Sequence, residues 1–128
     1  MIIVRKEQVA AFRAAAQQHF AERMRAYIAE EYPRRYEALG EEGTKALVQK
    51  GIEAAEGYGI EGEGPTAVLI ELMVDFGEKL ERSPDRVWAE GILAQPDIPG
   101  QVRVGVVRER FEARTGGRRI VMAPRQDG

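Results

Sequence analysis

The chain has 128 residues, 44% of them hydrophobic and 31% charged, with no cysteine and a net charge of −2. That length fits one domain whose core holds without staples, and the balance of apolar and charged residues excludes global disorder. The lack of cysteine excludes a disulfide framework, thiolate metal ligands and cysteine nucleophiles, and it is compatible with the cytosol.

At the start, the apolar residues Ile2, Ile3 and Val4 come before the first basic ones. A secretory signal has the opposite order and an apolar stretch of about 7–15 residues. The apolar run 67–70 is cut by Glu71, far short of the ~20 residues that cross a bilayer. The sequence therefore reads as that of a cytoplasmic protein with no membrane span. Its charge is uneven: residues 1–36 carry +3, residues 37–90 carry −8, residues 91–100 carry −1 and residues 101–128 carry +4. An acidic middle between basic ends lets the ends pack on the middle, or presents surfaces of opposite sign to partners.

In residues 6–32, Val9, Phe12, Ala16, Phe20, Met24, Tyr27 and Ile28 recur at steps of three and four. This is one stripe of a helix, and Pro33 stops it near Tyr32. About 26 residues span ~39 Å, long for so small a domain, so one end projects or bends. Residues 33–39 form a short helical turn ended by Gly40, and residues 41–58 a second main helix. Leu47, Val48, Ile52, Ala55 and Tyr58 make its stripe. Gly59 suits a left-handed cap, with Ile60 folding back over the helix end.

After a glycine-rich loop, residues 66–76 are apolar on nearly every face, as in a helix at the centre of a fold, and Gly77 ends it. Ser83-Pro84-Asp85 starts the next helix, with Ser83 as cap and Pro84 at the first position. Val87, Trp88, Ile92 and Leu93 form its stripe, and Pro96 closes it. Residues 101–115 read as a helix with Val104, Val107 and Phe111 on one face. They also allow another reading, because residues 102–106 alternate like a strand that 118–123 can pair with in a C-terminal β-hairpin. The expected architecture is all-α, a single-domain bundle of four to five helices around the apolar helix 66–76. It spans residues 1–116, with 117–128 a flexible basic tail.

Residues that carry chemistry are few. His19 is the only histidine and Ser83 the only serine, too little for a metal site or a nucleophilic triad. Residues 57–62 match Gly-x-Gly-x-x-Gly, but a dinucleotide site needs a strand before it. Here a helix precedes it, and Glu61 and Glu63 would face the phosphates. Glu71 and Asp75 share a helix face, either as working carboxylates or as the polar edge of a buried helix. No cofactor and no metal are expected, and no enzyme activity. Tyr27, Tyr32 and Tyr36, with Arg34 and Arg35, crowd the end of the first helix, either as a partner surface or with Tyr27 packing inward and the arginines offsetting the C-terminal dipole of the helix. Tyrosine and arginine are favoured interface anchors. Arg108, Arg110, Arg114, Arg118 and Arg119 make the C-terminal end basic, as a solvated face or as a dock for an acidic surface, the chain's own middle included. Nucleic acid is not an expected partner, since the acidic segment repels phosphate.

An ordered series of segments carries a resemblance. It runs through residues 2–8, 20–24 and 38–43, then Gly51-Ile52-Glu53-Ala54-Ala55, Tyr58-Gly59-Ile60, Leu72-Met73-Val74-Asp75-Phe76-Gly77 and Trp88-Ala89. Over roughly residues 1–95 the chain resembles small bacterial proteins associated with type VI secretion effector loci, beside VgrG- or PAAR-type genes. Beyond Pro99 it departs from their charged helix and longer leucine-rich end. The resemblance implies a non-enzymatic accessory, an adaptor or chaperone-like protein that binds a secretion effector or spike component. The alternative is an immunity protein that neutralises a cognate toxin. Tyr32, Arg34, Arg35, Tyr36, Arg118 and Arg119 are the candidate partner-binding residues, and a homo-oligomer is compatible with either role.

Overall fold

A computed structural model describes residues 5–114, the side chains of residues 78–80 excepted. The described residues form five α-helices and no strand: α1 (Lys6–Glu31), α2 (Pro33–Tyr58), α3 (Glu63–Arg82), α4 (Arg86–Leu93) and α5 (Gly100–Arg114). The protein is all-α. The chain divides into two compact units of packing, between Lys50 and Gly51, inside α2. The proposed tail 117–128 lies outside the described residues.

In the first unit, α1 follows an extended Arg5 whose backbone N–H donates to Gln8 Oε1 at 2.9 Å. Its apolar stripe is buried only in the C-terminal half, at Phe20, Met24 and Ile28. Val9 is exposed, and Phe12 is 75% exposed. The long first helix thus leaves the beginning of its stripe uncovered. Pro33 ends it as expected, and α2 breaks at Gly40, whose φ of 77° and ψ of 169° only glycine adopts readily. Four residues on, the buried Thr44 donates its hydroxyl to the Gly40 carbonyl at 2.8 Å. Thr66 and Gly62 repeat the bond at the start of α3, so each threonine satisfies a carbonyl beside a break in the helix.

In the second unit, α2 ends in a Schellman cap. Ile60 N–H donates to Ala55 O at 2.8 Å and Gly59 N–H to Glu56 O at 3.1 Å, with Gly59 at a φ of 70°. Ile60 folds back into the core beside Ala55. From Pro65 to Gly77 no residue of α3 is exposed, as a central helix requires. The helix runs on past Gly77 to Arg82, because one glycine costs a helix only about 1 kcal/mol, which flanking packing offsets. Leu69, Leu72 and Phe76 meet Ala89 and Leu93 of α4 and Val104, Val107 and Phe111 of α5 in one cluster.

Two local readings need correction. Ser83 does not open α4: its hydroxyl accepts from Asp85 N–H at 2.9 Å and its carbonyl from Arg86 N–H at 3.1 Å. This single turn precedes a helix that begins at Arg86 with Asp85 in the capping position. Residues 100–114 are helical, which decides against a strand over 102–106. Val104 and Val107 face inward while Val102 and Val106 are exposed, a helical and not a two-residue period. The partner strand of the hairpin, 118–123, lies outside the described residues.

Candidate partner-binding surfaces

The tyrosine–arginine cluster forms at the elbow where α1 gives way to α2. Tyr32 N–H closes α1 on Ile28 O, and Tyr36 N–H donates to Tyr32 O, both at 2.8 Å. The side chains then separate by depth. Tyr32 is buried at 9% exposure, so it is a footing for this surface and not an exposed anchor. Tyr27, expected to pack inward, is 40% exposed and meets the Tyr32 ring edge-on at 6.4 Å. Tyr32 continues the buried series of Phe20, Met24 and Ile28 at a step of four, whereas Tyr27 lies to one side of it. Arg34 and Arg35 are exposed and Tyr36 is half-buried. Arg25 donates to the Tyr36 hydroxyl at 3.4 Å and pairs with Glu22 at 3.3 Å. These bonds, that of Glu22 first, raise the guanidinium pKa further. The elbow presents one aromatic ring and two guanidinium groups over a fixed base. Arg118 and Arg119 lie outside the described residues.

Three arginines of α5, Arg108, Arg110 and Arg114, are engaged with the acidic middle of the chain. Arg114 grips the buried Asp85 carboxylate at 2.6 and 3.2 Å, and Arg110 reaches it at 3.4 Å. Arg110 also lies over the Trp88 ring, 4.1 Å from its centre, a cation–π contact. Arg108 bridges Glu71 at 3.5 Å and Glu112 at 3.2 Å. Glu71 is therefore the salt-bridged edge of a central helix. Among the described residues no group of three or more His, Asp or Glu side chains is arranged to hold a metal ion. His19 is exposed on α1.

Arg103 gives no sign of its place in the sequence, where it reads as one more charge on a helix. It is buried at 4% exposure and donates to four carbonyls: Ile98 and Tyr58 at 2.7 Å, Leu93 at 2.6 Å and Gly59 at 3.3 Å. Tyr58 and Leu93 are the last residues of α2 and α4. One guanidinium thus answers the unpaired carbonyls and negative dipole ends of two helices. The Gly-x-Gly-x-x-Gly segment supplies two of these carbonyls, which makes it a structural joint. The Tyr58 phenol is held above its ordinary pKa, first by burial and then by Glu90.

Beside this joint, α3 and α5 enclose a groove of about 410 Å3. Gly64, Pro65 and Val68 line one side, Gln101, Gly105 and Arg108 the other. A Cβ added at Gly64 or Gly105 would meet nothing within 4 Å. Among the described residues no helix is long and apolar enough to cross a membrane. No family model, curated protein or solved structure matches the chain.

Proposed function

We propose that the protein is a non-enzymatic adaptor or chaperone-like accessory of the bacterial cytoplasm. It binds a type VI secretion effector or spike component through the elbow between α1 and α2. The resemblance over residues 1–95 motivates the class of partner. The exposure of Tyr27, Arg34 and Arg35 above the buried Tyr32 carries the choice of surface. Arginine and tyrosine on a rigid base give a partner both apolar area and forked hydrogen bonding at low entropic cost. The test is calorimetric titration with a purified VgrG- or PAAR-type spike protein, or the effector, encoded beside this chain. Arg34→Glu with Arg35→Glu is expected to weaken binding about tenfold or more while leaving the helical signal unchanged. Full affinity in that variant removes the elbow, and no binding to any encoded neighbour removes the adaptor.

A second reading is an immunity protein. Glu53, Glu56, Glu61 and Glu63 are all exposed in the second unit, and such an acidic face suits a basic toxin active site. Co-expression with the neighbouring toxin separates the two readings, since an adaptor leaves the cells unprotected.

A further inference from the structure

We infer that the chain pairs with a second copy of itself, the N-terminal half of α1 of each copy seated in the α3/α5 groove of the other. Two unfilled surfaces motivate this, one in each unit. Val9, Phe12 and Ala16 stand at steps of three and four on α1, and all are exposed, Phe12 by 75%. A phenylalanine so exposed, with an exposed valine three residues before it, is an apolar patch that a partner surface would cover. The α3/α5 groove is the matching vacancy. Its walls carry Pro65 and Val68, and Gly64 and Gly105 leave room for a neighbouring backbone.

Charge selects the occupant. The exposed segment 5–16 holds Arg5, Lys6 and Arg13 against Glu7, a net +2. Glu61 and Glu63, both exposed, stand three residues and one residue before the groove residue Gly64 in the chain. Arg108, also of the groove, is outnumbered by its partners Glu71 and Glu112. A basic, apolar helix therefore meets an apolar slot with acidic neighbours, and the same chain carries both. Reciprocal exchange between two copies satisfies both surfaces at once in a closed twofold pair. This goes beyond the adaptor reading and uses none of its residues.

Sedimentation velocity at about 0.1 mM protein tests it. The wild-type chain is expected to run as a dimer, and Phe12→Glu and Gly105→Leu each as a monomer. Neither variant should lose helical signal, because Phe12 is exposed and a Cβ at position 105 meets nothing within 4 Å, leaving the rest of a leucine to occupy the groove. A monomeric wild-type chain overturns the inference. So does a dimer that Gly105→Leu leaves intact, which places α1 against α1 or against some other face. A dimer that survives Phe12→Glu also overturns it. Arg34→Glu with Arg35→Glu should leave the dimer unchanged, so the adaptor surface and the pairing surface fail separately.

Discussion

Arg103 shows how much one side chain can organise. A guanidinium in a core is costly unless its donors are met. Here the acceptors are carbonyls at helix ends and in the loop after α4, groups that would themselves be short of partners. Each side of the array removes the other's penalty. Arg103→Met keeps the apolar stem and leaves those carbonyls unanswered. It should cost about 3 kcal/mol or more, since hydrogen bonds to a charged group contribute roughly 1.5–3 kcal/mol each. Arg103→Lys should recover only part of this, because an ammonium cannot fork towards four oxygens. Urea denaturation checks both through the midpoint shift. A Met variant as stable as wild type would mean that desolvation of the guanidinium already cancels its bonds. Nothing in the sequence marks this residue: it sits in Val102-Arg103-Val104, where alternation suggests an outward-pointing charge. Its role depends on the ends of α2 and α4, which are 45 and 10 residues away.

Elements whose boundaries follow from local chemistry were legible; those set by distant packing were not. Pro33, Gly40 and Gly59 restrict or free the backbone where they stand, and each helix break falls where those residues put it. The apolar run 66–76 announced its central position, since a helix apolar on nearly every face and too short to cross a bilayer is stable only when buried. Gly77 misled because a glycine is only a weak breaker, and the turn at Ser83 misled because Pro84 fits a turn as well as a first helical position. The depths of Tyr27 and Tyr32 were legible in the step of four from Phe20 through Met24 and Ile28, which reaches Tyr32 and leaves Tyr27 aside. Two glycines of α2 carry opposite expectations that sequence cannot separate. A Cβ at Gly51 would lie 2.5 Å from Ile70 Cγ1, whereas one at Gly57 meets nothing. Gly57→Ala should stabilise by about 0.5–1 kcal/mol through helix propensity. Gly51→Ala gains the same propensity but forces α2 and α3 apart, so it should destabilise, overpacking costing about 1–3 kcal/mol. Thermal melts of the two variants should shift in opposite directions; shifts of the same sign would mean that Ile70 moves aside at no cost.

Across the whole molecule, the charge pattern and the two packing units meet different needs. The basic C-terminal end and the acidic middle answer one another within the second unit, through Arg108 on Glu71 and through Arg110 and Arg114 on Asp85. The two units share one helix, α2. From Glu41 to Tyr58 α2 is unbroken, and the division between the units falls between Lys50 and Gly51 within it. A helix propagates order because each added residue needs only one more bond, so folding of either unit should favour the other through α2. Lys50→Pro tests this at the division. Proline there removes the backbone donor of residue 50 and crowds the preceding turn, a local cost of about 3 kcal/mol. Trp88 is the only tryptophan and belongs to the second unit, so its fluorescence follows that unit while far-ultraviolet dichroism follows both. In the wild-type chain the two signals should trace one urea transition. In Lys50→Pro they should separate, with the fluorescence transition later or earlier than the loss of helix. Coincident curves in the variant would show that the units are coupled by something other than the continuity of α2.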